Sequence, residues 1–172
     1  TWLTAATDAR VVGIAPMVID MLNLAPQMDW HYSALCGYSE EIHDYVDMGV
    51  IARLYTPEGV SLRKIVDPMM YLSRLAIPKL GLNGTADEFF VPDSAQFYYM
   101  DAADYGSMHL RYFPNGNHYL LEGYDATVRG MLPFYNAVVN NEVLPHLDWT
   151  ITDSPHEATL DVVLDTAPLS AH

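Results

Sequence analysis

The sequence predicts an α/β fold built on a parallel sheet, and three observations carry the prediction. Ile77-Pro78-Lys79-Leu80-Gly81-Leu82-Asn83 and Met108-His109-Leu110-Arg111-Tyr112-Phe113 read as short strands separated by a helix-opening segment, Pro92-Asp93-Ser94-Ala95-Gln96, that carries Phe97, Tyr98 and Met100. Strand, helix, strand is the order that gives parallel neighbours. Val11 to Ile19 is a β-branched apolar run bounded by polar residues, the pattern of a strand buried on both faces. Tyr124, Val128, Met131, Leu132, Tyr135, Val138 and Val139 then step by three or four, the clearest amphipathic helix period in the chain.

Composition sets the outer bounds. With 51% hydrophobic and 17% charged residues in 172, the chain is globular rather than disordered. Eight basic against 22 acidic side chains give a formal charge of −14, which argues against a nucleic-acid partner because phosphate contacts need clustered Lys and Arg. Cys36 is the single cysteine, so neither an internal disulfide nor a cysteine-rich metal site can form within the chain, and a buried structural thiol is expected. No apolar run approaches the ~20 residues that span a bilayer, so no transmembrane segment is expected.

Taken in order, Thr1 to Thr7 has the character of the back end of a helix without a convincing cap. Three predicted strands are few for a sheet, which usually has about 4–6, and the chain is therefore expected to be a fragment. Pro16 marks the carboxyl end of the first strand, since proline suits a strand's end better than its middle. Asp20 lies just beyond, on the edge where open α/β sheets bind ligands, although a turn or helix cap is the favoured reading. Residues 21–75 are too long for a plain strand-to-helix link and are expected to form a helical cap insertion. Within them Tyr38, Ile42, Tyr45 and Val46 keep helical spacing behind Ser39 as N-cap, and Leu62, Ile65 and Val66 and then Met69 to Leu75 give two further short helices. His31 and His43, with the carboxylates around them, raise a metal site, but no ligand motif is present and a solvated helical face is favoured. Pro133 should kink or restart the last helix. Beyond Pro145 the period changes to two: Leu147, Trp149 and Ile151 alternate with polar residues, as do Leu160, Val162 and Leu164, with turn chemistry between them. Residues 1–145 therefore read as one domain, and residues 146–172 as the start of a second, β-rich one.

The chemistry concentrates after the strands. Gly84-Thr85-Ala86-Asp87 places a carboxylate after one strand, and Pro114-Asn115-Gly116-Asn117-His118 places an imidazole after the next. That is the chain order of acid and base in a Ser…Asp…His triad on an α/β-hydrolase sheet. Histidine works as a general base when a carboxylate fixes its tautomer. Asp87 and His118 are accordingly the candidate catalytic residues, with Glu88 and Asp93 as rival acids and His109 as a rival base. A turn aspartate bonded to its own backbone and a histidine that merely ends a strand are the bland alternatives. No G-x-S-x-G occurs, and Ser33, Ser39, Ser61, Ser73, Ser94 and Ser107 lack the strand-to-helix elbow that exposes a nucleophile. The nucleophile is expected upstream of Thr1. Such chemistry needs no cofactor or metal, and the substrate, a small molecule or a peptide, cannot be read from the residues.

Several blocks in sequence order carry a family resemblance. Thr1 to Asp20, Val66-Asp67-Pro68, Ile77-Pro78-Lys79-Leu80, Asn83-Gly84-Thr85-Ala86-Asp87-Glu88-Phe89-Phe90, Pro92-Asp93-Ser94-Ala95-Gln96-Phe97-Tyr98 and Leu110-Arg111-Tyr112-Phe113-Pro114-Asn115 before His118 resemble the PhoPQ-activated pathogenicity-related protein family. The resemblance implies an α/β-hydrolase domain followed by a small β-sandwich-like domain. It also implies a nucleophilic serine just ahead of Thr1, Asp87 and His118 at the acid and base positions, and a secreted or periplasmic location. The family also includes autocrine proliferation repressor proteins. The resemblance thus implies two functions, a serine hydrolase acting on an ester or amide and, alternatively, a secreted binding or signalling protein without catalysis.

Overall fold

A computed structural model of the chain describes residues 1–120 and 124–165. It is a mixed α/β structure with two small sheets. Strands β1 (Lys79–Gly84) and β2 (Met108–Phe113) pair in parallel, with Lys79 opposite Met108 and Gly84 opposite Phe113. The Val11–Ile19 run lies along the other edge of β1 through parallel bridges at Ile14–Lys79 and Met17–Leu82. Its ladder is interrupted for a chemical reason. The Ile14 and Val18 amides donate to the carbonyls of Pro78 and Leu82, so the residue between them that should donate is number 16. That residue is proline and has no N–H. The expected full strand is thereby reduced to bridges. Val12 and Met17 are also exposed rather than buried, so burial on both faces does not hold among the described residues.

Side-chain alternation along β1 and β2 divides the core into two layers. Leu80, Leu82 and Phe113 turn to one face and pack with Leu120 and with Phe134 of helix α6 (Tyr124–Asn140). The opposite face carries Met108 and packs with Ile14, with Trp2, Ala5 and Ala6 of α1 (Trp2–Thr7), and with Leu72, Leu75, Ala95, Tyr98 and Ala102. Helix α6 runs through Pro133 as one element. The missing rung is tolerated where Phe134 and Ala137, just beyond it, are buried.

Residues 21–75 form short helices, as their periodicity requires. Helix α2 (Leu24–Leu35) comes first, followed by a 3-10 turn at Glu40–Ile42 capped by Ser39. Then come α3 (His43–Asp47) and α4 (Pro57–Val66), and a longer 3-10 segment at Pro68–Arg74. A separate cluster of Ala25, Met28, Ile42 and Leu54 holds them together. Asp67 joins this region to itself: it is buried, and its carboxylate accepts from the backbone amides of Asn23, Leu24 and Met69 at 2.8–3.0 Å. Cys36 is exposed, not buried, and it ends α2 as its C-cap in a left-handed conformation with φ 55°. Helix α5 (Tyr99–Ala103) precedes β2.

Strands β3 (Leu147–Asp153) and β4 (Ala158–Leu164) form an antiparallel hairpin in a sheet of their own. The pairs Leu147–Leu164, Trp149–Val162 and Ile151–Leu160 share one face, and every residue of both strands is exposed among the described residues. Residues 166–172, the end of the expected second domain, lie outside the described residues.

Candidate active site

The loops that leave β1 and β2 at their carboxyl ends are laced together before either functional side chain is reached. Thr85 N–H donates to the Phe113 carbonyl and Ala86 N–H to the Gly116 carbonyl, each at 3.0 Å. Asn115 N–H donates to the Thr85 hydroxyl at 2.8 Å. This approach requires glycine at position 84, where a Cβ would lie 2.0 Å from the Gly116 carbonyl oxygen.

Asp87 follows directly. Its Oδ1 accepts from the amides of Phe89 (2.8 Å) and Phe90 (3.1 Å), and its side chain is 2% exposed. The His118 Nδ1 lies 3.0 and 3.1 Å from the two carboxylate oxygens. With Nδ1–H donating to a carboxylate, the Nε2 lone pair is the basic site of the ring. The imidazole keeps 20% side-chain exposure. The Phe89 ring lies 4.1 Å from it, centroid to centroid, and Tyr119 stands edge-on at 5.9 Å. Among the described residues no serine hydroxyl bonds to His118.

The rival residues fall elsewhere. Glu88 accepts from the backbone amide of His118 at 2.8 Å and so anchors the histidine's main chain. That hydrogen bond holds its carboxyl below the usual range. The Ser39 hydroxyl donates to the Glu88 carbonyl, tying the 21–75 region to the acid loop. Asp93 accepts from the Trp30 indole and from Gln96. His109 is half-buried in β2, where burial, and then the charge of His146, push its imidazole down. It lines a cleft of about 470 Å³ with Tyr99, His146 and Trp149. The two metal-candidate histidines are placed apart in kind: His31 is buried in α2, and His43 is on the surface beside the Glu40 carbonyl and Asp44.

Asp20 corrects the sequence reading. It caps no turn or helix among the described residues. It is 2% exposed, and its Oδ2 accepts from Asn83 Nδ2 (3.0 Å) and Tyr112 Oη (3.2 Å). Burial raises its carboxyl to about 6, against the opposing pull of the Tyr98 and Tyr112 hydroxyls, with the nearby charges of Asp87 and Asp93 adding to the rise. Asn83, Tyr98 and Tyr112 were not legible as site residues. The only signal was Asp20's place just past a strand, whereas its donors meet it through the register that puts Asn83 opposite Tyr112.

Comparison with known proteins gives three findings. Over 154 residues the chain is 34% identical to autocrine proliferation repressor protein A of Dictyostelium discoideum, covering 90% of this chain and 31% of that protein. The chain thus spans under a third of the length of this curated relative. A solved Mycobacterium tuberculosis puromycin-hydrolyzing peptidase is similar over 69% of this chain and 16% of its own, with a TM-score of 0.43 and 20% identity, a likeness too distant to bear on the fold or the reaction. The model of the family described as PhoPQ-activated pathogenicity-related protein matches residues 1–172. The chain belongs to the PhoPQ-activated pathogenicity-related protein family.

Proposed function

We propose that this chain supplies the acid and base of a Ser-His-Asp hydrolase acting on an ester or amide. One observation carries the reading: a buried carboxylate, itself fixed by two backbone amides, is bonded to the Nδ1 of an imidazole whose other nitrogen is left for a nucleophile. The parallel pairing of β1 and β2, with acid and base on loops at the same sheet edge, supports an α/β-hydrolase domain over residues 1–145. In this reading residues 21–75 are its cap, and residues 146–172 begin a β-rich domain. The nucleophile is a serine ahead of Thr1 in the longer protein, because no serine here stands in an elbow sequence.

In the reaction, His118 Nε2 takes the proton from the serine hydroxyl as Oγ bonds to the substrate's carbonyl carbon. Asp87 holds the ring's orientation and stabilises the imidazolium. The C–O or C–N bond to the leaving group then breaks, and the imidazolium returns its proton to that group. Water repeats the sequence against the acyl-enzyme and frees the serine.

Reaction of the full-length protein with a serine-directed phosphonate tests the proposal. Labelling is expected at an upstream serine, abolished by His118→Ala and slowed by several orders of magnitude in Asp87→Asn, by analogy with removing the orienting acid of a triad. Labelling that survives His118→Ala would show that the base is misassigned. The similarity to a relative named as an autocrine proliferation repressor favours a second reading, a binding or signalling protein on the same scaffold. Folded, unlabelled protein with Gly or Ala at the elbow position would decide for it.

A further inference from the structure

Asp20 has no part in the acid–base step, yet it is among the most deeply buried ionisable groups in the chain, with Oδ1 unpartnered among the described residues. Two of its donors sit opposite each other in the parallel register, Asn83 on β1 and Tyr112 on β2. Asn83 is four residues before Asp87 and Tyr112 six before His118. A single carboxyl therefore spans the ends of three adjacent segments: the 11–19 run from which it emerges, the strand that leads to the acid, and the strand that leads to the base.

We infer that Asp20 is a positioning residue for the Asp87–His118 pair, clasping the strand ends that launch both residues and imposing its own charge on Asp87. The inference rests on the reading of that pair as acid and base, and extends it to a residue outside the triad. The groups facing Asp20 are Asn83 from β1, Tyr112 from β2, Tyr98 at the start of α5, and the carboxylates of Asp87 and Asp93 in the following loops. There is no cation in this set. An ionised Asp20 therefore adds negative potential beside Asp87 with no counter-charge among these groups, so the field that the pair feels changes with the state of Asp20. Burial places the change of state near pH 6, so the pair works with different support on the two sides of that pH.

The test is a pH titration of the His118 ring signal by NMR in the full-length protein, with histidine labelled at 13Cε1 and the signal assigned by its loss in His118→Gln. The native protein is expected to show a second inflection on that signal, near pH 6. Asp20→Asn, a neutral side chain of the same size, should abolish it. Tyr112→Phe removes one donor to the carboxylate while leaving Asp20 in place, and should move the second inflection to higher pH. A purely structural role would leave the curve unaltered in both folded variants, and superimposable curves for the native protein, Asp20→Asn and Tyr112→Phe would overturn the inference. If Asp20→Asn fails to fold, Tyr112→Phe alone decides. Phosphonate labelling of the same samples reports separately on the hydrolase reading: its failure with the coupling intact would remove the reaction but not the clasp.

Discussion

Gly84→Ala isolates the contact on which the candidate site depends. A Cβ at position 84 would lie 2.0 Å from the Gly116 carbonyl oxygen and 2.6 Å from its carbon, whereas real Cβ contacts essentially never fall below 3.0 Å. The obstacle is backbone on both sides, so no rotamer relieves it, and the two loops must part by about 1 Å (3.0 minus 2.0). That opening stretches the 3.0 Å bond from Ala86 N–H to the Gly116 carbonyl and displaces His118 relative to Asp87. Loss of one backbone hydrogen bond plus the strain of the backbone clash should destabilise the protein by about 2–4 kcal/mol. A misplacement of about 1 Å in a reacting group should slow phosphonate labelling by about 100-fold. Urea denaturation measures the first effect and labelling kinetics the second. Gly37→Ala is the matched control, since a Cβ there meets nothing within 4 Å, and it should change stability by no more than about 0.5 kcal/mol. If Gly84→Ala matched Gly37→Ala in both assays, the loop-to-loop packing assigned to the site would be wrong.

Two further outcomes are expected. Asp20 is an acid whose carboxyl burial raises from its ordinary value of 3.8 to about 6. Its burial therefore costs nothing below pH 3.8, costs progressively more between 3.8 and 6, and reaches about 3 kcal/mol above that. The stability of Asp20→Asn relative to the native protein, followed by urea denaturation from pH 3.5 to 7.5, should improve by up to that amount across the window, and a pH-independent difference would refute the assignment. Asp67→Ala leaves the amides of Asn23, Leu24 and Met69 without their acceptor. It should destabilise the protein by about 2–4 kcal/mol, and an unchanged urea midpoint would show that the three bonds contribute little.

Much of the local structure was legible because local rules decide it. The apolar spacing of Val128 to Val139 gave α6, and alternation gave the β3–β4 hairpin. Turn and cap chemistry placed Ser39 at the head of its helical turn. The proximity of Asp87 and His118 could be anticipated from the order strand, Asp, strand, His, because parallel neighbours bring the ends of their strands to one edge. What could not be read was whatever depends on the third dimension. Pro16 is awkward for a central strand on sequence alone, but that it removes the donor between Ile14 and Val18 follows only from which edge of β1 it faces. Residue type makes Cys36 a buried thiol, whereas the fold leaves it exposed at the C-cap of α2. Its neighbours in sequence favour Asp20 as a turn or helix cap. Its burial is decided by Asn83 and Tyr112, 63 and 92 residues away. Sequence fixes periodicity and the chemistry of each side chain, because both are properties of neighbouring residues. Register and burial are set by the packing of segments far apart in the chain, and they decide which of several carboxylates faces a histidine and which is withdrawn from water.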